Sequence, residues 1–117
     1  MPLFLLRCLD VVGAAAHREQ QRAAHVAHVR GSGVVRMAGP MVNDSGAIVG
    51  SLMIIEVQDF ARAQAFVEND PFRRAGVYGS VDIDQFRMTF TAPPQTAPDL
   101  GSAPQSAADR LDAVRKK

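Results

Sequence analysis

The chain has 117 residues, which is enough for one domain with one hydrophobic core. Thirteen basic and twelve acidic residues give a formal net charge of +1, and the basic residues are scattered rather than gathered in one stripe. With six Phe, one Tyr and no Trp, the chain offers neither the basic face nor the stacking platform that nucleic-acid binding requires. We therefore predict that the chain does not bind nucleic acid.

The N-terminal segment, residues 1–12, is apolar, but Arg7 and Asp10 interrupt it and it is too short to cross a bilayer. Cys8 is the only cysteine, so an intrachain disulfide is impossible and an oxidising compartment is not implied. We interpret Cys8 as a small hydrophobic residue on a buried strand rather than as a nucleophile. A cytoplasmic protein without membrane contact is the expectation.

The chain order of the predicted elements is β-α-β-β-α-β. Short apolar runs between turn signals predict strands at residues 2–10, 34–38, 51–57 and 81–90. Helix-forming composition and spacing predict helices at residues 14–30 and 60–68. We expect Gly39-Pro40 to close the second strand, Asp59 to cap the second helix, and Pro71 to forbid its continuation. This order is the ferredoxin-like pattern, an α+β fold with an antiparallel sheet.

Helices cover only one face of such a sheet, so the other face must be covered by something else, usually a second sheet. We therefore predict a homodimer of the dimeric α+β barrel type. The domain is expected to span residues 1–90, followed by a Pro/Ala-rich tail, residues 91–117, that is too poor in large hydrophobic residues to build a core. Within the tail, residues 107–117 could form a short amphipathic helix; otherwise the tail is expected to be disordered.

Three polar residues of the first helix, Arg18, Arg22 and His25, follow one another at spacings of four and three and therefore share a narrow stripe. The apolar face is expected elsewhere, on Ala16, Ala23, Val26 and Ala27. His25 would then border the buried face, where a partly desolvated imidazole can reach a cleft, and His28 would point further towards solvent. From spacing alone, an ordinary boundary histidine is the simpler interpretation of His25.

Two further patterns could carry chemistry. His25 and His28 form a His-x-x-His pair that could share a metal, but a third ligand such as Asp44 or Asp70 is not evident, so no metal site is predicted. Asp70 follows the second helix and precedes Pro71, which suits a positioned carboxylate. The alternative is that Asp70 only satisfies local backbone N–H groups.

Together these pieces resemble the YciI-like (YCII-related) family. The run Arg22-Ala-Ala-His25-Val is similar to the family's Arg-x-x-His-Leu, Met37-Ala-Gly-Pro40 to its Ala-Gly-Pro, and residues 46–51 to the opening of its third strand. The most specific likeness is that of Asp70-Pro-Phe72 and Ala75-Gly-Val-Tyr78 to the family's Asp-Pro-Tyr and Ala-Gly-Val-Tyr. Departures are Phe72 in place of the common Tyr, and the first strand's opening Pro-Leu-Phe-Leu-Leu. The resemblance covers residues 1–90 and leaves out the tail.

The resemblance implies an active site centred on His25 and Asp70. The substrate-binding neighbours that it implies are Arg22, Gly39, Pro40, Ser51 and Tyr78. It also implies a small enzyme without a cofactor that performs general acid/base chemistry on a small cyclic or phenolic molecule, as a lyase, isomerase or dehydrochlorinase-like enzyme. The family includes an enzyme that removes chloride from a chlorinated hydroxyhydroquinone.

In this hypothesis Asp70 hydrogen-bonds one ring nitrogen of His25, the other nitrogen takes a proton from the substrate, and Arg22 holds an anionic oxygen. Two alternatives remain open. The same fold could be a non-catalytic ligand-binding or regulatory domain, or a structural subunit whose C-terminal tail makes the contact.

Overall fold

A computed structural model describes residues 1–93. Its elements in chain order are β1 (Leu3–Asp10), α1 (Ala15–Ser32), β2 (Val35–Val42), β3 (Ile48–Glu56), α2 (Phe60–Glu68), α3 (Pro71–Arg74) and β4 (Tyr78–Phe86). The predicted α+β fold and β-α-β-β-α-β order are confirmed, with the short helix α3 as an addition. The predicted tail, including the helix at residues 107–117, lies outside the described residues.

The four strands form one sheet in the order β2-β3-β1-β4, and every neighbouring pair is antiparallel. The apolar strand β1 lies between β3 and β4, with Leu6 opposite Met53 on one side and Ile83 on the other. Within residues 1–93, no helix is both long enough and apolar enough to span a membrane.

The hydrophobic core lies between one face of the sheet and the helices. Alternate residues of β1 point into it, because successive side chains of a strand face opposite ways. They are Phe4, Leu6 and Cys8. β3, the helices α2 and α3 and the adjoining segments add the other large core residues, which are Met53, Ile55, Val57, Phe66, Val67, Phe72, Val77 and Tyr78. Burying each large side chain contributes about 1.5–3 kcal/mol, so this face of the sheet is where folding is stabilised most.

Within residues 1–93, no helix lies over the opposite face of the sheet. Its part on β1, β3 and β2 is mostly apolar, whereas Arg7, Asp82 and Asp84 lie on it towards β4. Leu5 pairs with Ile54, which pairs on its other side with Met37. Ile54 is buried but is not part of the core cluster, whereas Met37 is 60% exposed. We call the side chains of Leu3, Leu5, Met37, Leu52 and Ile54 the open face.

Three strands have boundaries that differ from the prediction by several residues. Gly39-Pro40 does not close β2, which continues to Val42. Within residues 1–93, β2 is an edge strand, and an edge strand is where a sheet tolerates a proline such as Pro40. On the other side of the turn, β3 begins at Ile48 rather than at residue 51, and β4 runs from Tyr78 to Phe86 instead of continuing to residue 90.

Pro71 ends α2 as predicted but also begins α3, which the sequence had indicated as loop. A proline fits the first turn of a helix because its φ is already helical and its missing N–H would have had no helical partner there.

The predicted apolar face of α1 is wrong. Ala16, Ala23 and Ala27 are exposed, Val26 is 36% exposed, and no residue of α1 is fully buried. The side that meets the rest of the protein is instead the polar stripe that contains Arg18 and His25. Alanines offer little apolar area to bury, whereas these longer side chains find hydrogen-bond and stacking partners below the helix.

Candidate active site

His25 and Asp70 meet, although 45 residues separate them in the chain. His25 Nδ1–H donates to Asp70 Oδ1 over 2.8 Å. The Asp70 side chain is fully buried, while 13% of the His25 side chain is exposed. A buried carboxylate next to a partly open imidazole is the arrangement that orients a histidine for proton transfer.

Asp70 is held by its position at the start of α3. As the N-cap, its Oδ1 also accepts the backbone N–H of Phe72 over 2.9 Å. The Tyr78 hydroxyl lies 3.5 Å from the other carboxylate oxygen. Asp70 therefore satisfies a local backbone N–H group and also holds His25.

The His25 ring lies flat on Phe72, with ring centroids 4.0 Å apart and planes inclined by 13°. Its second nitrogen, Nε2, has no partner among the described residues. Every buried side-chain nitrogen or oxygen in residues 1–93 has a hydrogen-bond partner. Because Nε2 has none, it is not fully buried and is accessible. When neutral, His25 thus carries its hydrogen on Nδ1 and has a free lone pair on Nε2.

A cavity of about 400 Å³ lies between α1 and the β2–β3 part of the sheet. This volume is within the range of small-molecule sites. Its lining residues are Arg18, Glu19, Arg22, His25, Val26, Val29, Arg30, Ala38, Gly39, Pro40, Ile48, Ser51, Met53 and Phe72.

The charged lining residues favour an anionic ligand, because three guanidinium groups face the cavity and Glu19 is its only carboxylate within residues 1–93. Arg22 and Arg30 are exposed and have no carboxylate partner in the part of the chain that the structure describes. Both are therefore available to a ligand at the mouth of the cavity.

Arg18 and Asp10 are site residues that the sequence prediction missed. Arg18 Nε and Nη2 donate to the two Asp10 carboxylate oxygens over 2.8 and 3.0 Å, and Nη2 also donates to Ser51 Oγ over 2.7 Å. The guanidinium carbon lies 4.5 Å from the centre of the Phe72 ring. The shared stripe of Arg18 with His25 was the available signal, but nothing in the sequence pairs Arg18 with Asp10.

Four of the five predicted substrate-binding residues, Arg22, Gly39, Pro40 and Ser51, line the cavity. Tyr78 does not; it is 3% exposed and lies next to Asp70. Burial, with a smaller contribution from the Asp70 charge, raises the pKa of Tyr78 above its ordinary value. The phenol is therefore a neutral neighbour of the carboxylate.

His28 does not point to solvent as predicted, because its Nε2–H donates to the Phe66 carbonyl over 3.0 Å and its ring packs on that of Phe66. His25 and His28 thus face different partners. Within residues 1–93, no group of three or more His, Cys, Asp and Glu side chains is arranged to hold a metal ion.

Cys8 lies on β1 inside the core, as the sequence indicated. Burial is the main cause that raises the pKa of its thiol to about 12. Cys8 is therefore a thiol rather than a thiolate at neutral pH.

The fold and the site together define a ferredoxin-like α+β domain with a histidine–aspartate pair in a cleft between a helix and the sheet. The chain belongs to the YCII-related family: the model of the YCII-related domain matches residues 3–87. Protein YciI from Escherichia coli O6:H1 and its counterpart from Shigella flexneri are each 33% identical in an alignment of 97 residues. The match covers 75% of this chain and 99% of each relative.

One solved structure is similar in both sequence and fold. It is 5-chloro-2-hydroxyhydroquinone dehydrochlorinase from Burkholderia phenoliruptrix AC1100, in complex with 2,5-dihydroxybenzoquinone. It matches with a TM-score of 0.67 and 28% identity, over 73% of this chain and 93% of that chain.

Proposed function

We propose that this protein is a small enzyme that moves protons on a small cyclic or phenolic molecule, with His25 as the general base and Asp70 as the residue that orients it. The observation that carries the proposal is the 2.8 Å hydrogen bond from His25 to a fully buried carboxylate, in a histidine that lines the cavity and has its other nitrogen accessible. A general base has to reach the proton that it takes, and support comes from His25 lining the cavity with Nε2 unpartnered within residues 1–93. Neither residue needs a bound group to move a proton.

The similar dehydrochlorinase supports the class of substrate. Both the substrate in its name and the molecule bound in its structure are six-membered rings with hydroxyl groups. The stacked His25 and Phe72 rings and the apolar cavity wall suit such a flat molecule. The reactions we propose are those of a lyase, an isomerase or a dehydrochlorinase.

The other predicted site residues act in binding. Arg22 holds an anionic oxygen of the substrate at the mouth of the cavity, because it is exposed there and has no carboxylate partner within residues 1–93. Ser51, Gly39 and Pro40 form the wall on the sheet side.

The partner that we propose for the open face is a second copy of this chain, with the two sheets packed against each other. Support comes from the apolar side chains there, which no helix of residues 1–93 covers. In a sheet-to-sheet dimer the helices and the cavities remain on the outside.

The proposed activity is tested with 5-chloro-2-hydroxyhydroquinone and a panel of related hydroxyquinones and phenols, by chloride release and by exchange of ring hydrogens with deuterium oxide. We expect His25→Ala to lower turnover of an accepted substrate by about 10²–10⁴-fold, the usual contribution of a general base. The matched control is His17→Ala, an exposed histidine of the same helix that does not line the cavity. Full turnover in His25→Ala would refute the assignment.

A further inference from the structure

Arg18 has hydrogen-bond donors that its protein contacts do not use. A guanidinium has five N–H groups. Nε and Nη2 of Arg18 bind Asp10 and Ser51, but Nη1 has no partner among the described residues. Every buried side-chain nitrogen or oxygen in residues 1–93 has a hydrogen-bond partner, so the unpartnered Nη1 is not fully buried. Arg18 is also one of the residues that line the cavity. The ion pair with Asp10 therefore leaves the two Nη1–H groups for a ligand or for water.

The guanidinium is fixed in place, unlike that of the exposed Arg22. Its side chain is 12% exposed and that of Asp10 is 7% exposed, and their two hydrogen bonds hold the group in one orientation. Donors that are fixed before the reaction, in a site with little water, stabilise developing charge more strongly than mobile donors at the surface.

Arg18 and His25 also lie close to the same ring. The Arg18 guanidinium carbon is 4.5 Å from the centre of Phe72, and the His25 ring centre is 4.0 Å from it. The two groups are therefore no further apart than the sum of these two distances, and both line the cavity. A cyclic molecule that spans this gap contacts both.

We infer that Arg18 is a catalytic anion-binding residue, whose Nη1–H groups hold the oxygen that becomes negative when His25 removes a proton from the substrate. The inference rests on the proposed function, because it requires His25 to act as the base. It defines the substrate class as molecules with a saturated C–H carbon next to a ring carbonyl, that is, enolisable cyclic ketones, including the keto tautomers of phenols. An ionised hydroxyquinone carries the same kind of oxygen as the enolate that such a molecule forms.

The proposed step balances without an oxidant or a reductant. His25 Nε2 takes the proton of a C–H bond next to a carbonyl, and the electrons of that bond form a carbon–carbon double bond. The carbonyl π electrons move to oxygen, and Arg18 Nη1 binds the resulting enolate oxygen. The protonated imidazole then returns the proton to another carbon, or to a group that leaves.

The test compares two probes, 2,5-dihydroxybenzoquinone, a vinylogous acid that is ionised at neutral pH, and its neutral dimethyl ether, 2,5-dimethoxybenzoquinone. Affinities are measured by calorimetry for the full-length chain. We expect Arg18→Gln to weaken binding of the ionised quinone by about 10–100-fold, as loss of a charged hydrogen bond does, and to change binding of the ether by less than about twofold. Arg36→Gln is the matched control, because Arg36 makes a similar ion pair, with Glu56 over 2.8 Å, but does not line the cavity.

A second variant covers the case in which unpaired Asp10 prevents folding. In Asp10→Asn/Arg18→Gln both charges of the pair are removed, and the same selective loss is expected. Equal affinity of the wild type for the two quinones, or unchanged binding of the ionised quinone in the Arg18 variants, would overturn the inference. Such a result would not refute the proposed function, because the proposed function is tested separately, by the turnover of His25→Ala.

Discussion

Asp70 stabilises the fold as well as the site, and its two contacts can be separated by a comparison with Asp59. Asp59 is also an N-cap, whose Oδ1 accepts the Arg62 backbone N–H over 2.9 Å, but its side chain is 48% exposed. We predict that Asp59→Ala lowers the free energy of unfolding by about 1 kcal/mol, the usual cost of a lost cap. Asp70→Ala should cost about 2–4 kcal/mol, because it also leaves buried donors, His25 among them, without an acceptor. Urea unfolding followed by circular dichroism measures both; equal losses would contradict the account.

Cys8 makes the fold sensitive to alkali. The pKa of its thiol is raised from 9.0 to about 12 by burial. Between these pH values the folded chain keeps a proton that the unfolded chain has released, so the free energy of unfolding falls as pH rises, by at most about 1.4 kcal/mol per pH unit for this group. The pKa of Tyr78 is also raised. The free energy of unfolding therefore falls further once the pH exceeds the ordinary pKa of a tyrosine. We predict that the free energy of unfolding declines less steeply with pH in Cys8→Ala than in the wild type, as measured by urea unfolding from pH 9 upwards. Parallel dependences on pH in the two proteins would contradict this prediction.

At the scale of elements, the backbones of β1 and β3 approach each other closely at Gly50. A Cβ atom at this position would overlap the Cys8 carbonyl oxygen and lie 2.7 Å from the end of the Met41 side chain. At Gly39, on the neighbouring strand, a Cβ would have nothing within 4 Å. We predict that Gly50→Ala lowers the free energy of unfolding by about 1–3 kcal/mol, as overpacking does, and that Gly39→Ala changes it little. Thermal unfolding compares the two; similar melting temperatures would contradict the described packing.

The elements also show how far sequence reasoning reached. β1, β3 and α2 were placed within a few residues because their apolar patterns match what they bury. The orientation of α1 was not predictable in this way, since it buries no residue fully and rests on Arg18, His25 and His28. Hydrophobic spacing contains no information on a helix that is held by polar contacts.

The site was predicted in part, for a similar reason. Resemblance to family motifs, rather than spacing, brought His25 and Asp70 together, because contacts across 45 residues depend on the whole fold. The pair of Arg18 and Asp10 had no motif to mark it, and Asp10 was considered only as an interruption of an apolar segment.

For the whole molecule, the open face predicts the oligomeric state. We expect the full-length protein to sediment as a dimer and Met37→Glu to shift it towards the monomer, because a carboxylate would be buried between two sheets. Met37 is 60% exposed in the single chain, so the substitution should leave the fold intact. Ala23→Glu on the exposed side of α1 is the control and should remain dimeric. A monomeric wild type, or a dimer that Met37→Glu does not weaken, would contradict the sheet-to-sheet arrangement.

The central claim is that Asp70 fixes the His25 imidazole so that Nε2 is free to accept a proton. The most direct measurement is the tautomer of His25, read from ¹⁵N chemical shifts of the neutral ring in long-range ¹H–¹⁵N spectra, in the wild type and in Asp70→Asn. We predict a hydrogen on Nδ1 and a bare Nε2 in the wild type, and a loss of this preference in Asp70→Asn. A hydrogen on Nε2 in the wild type, or the same spectrum in both proteins, would contradict the proposed base.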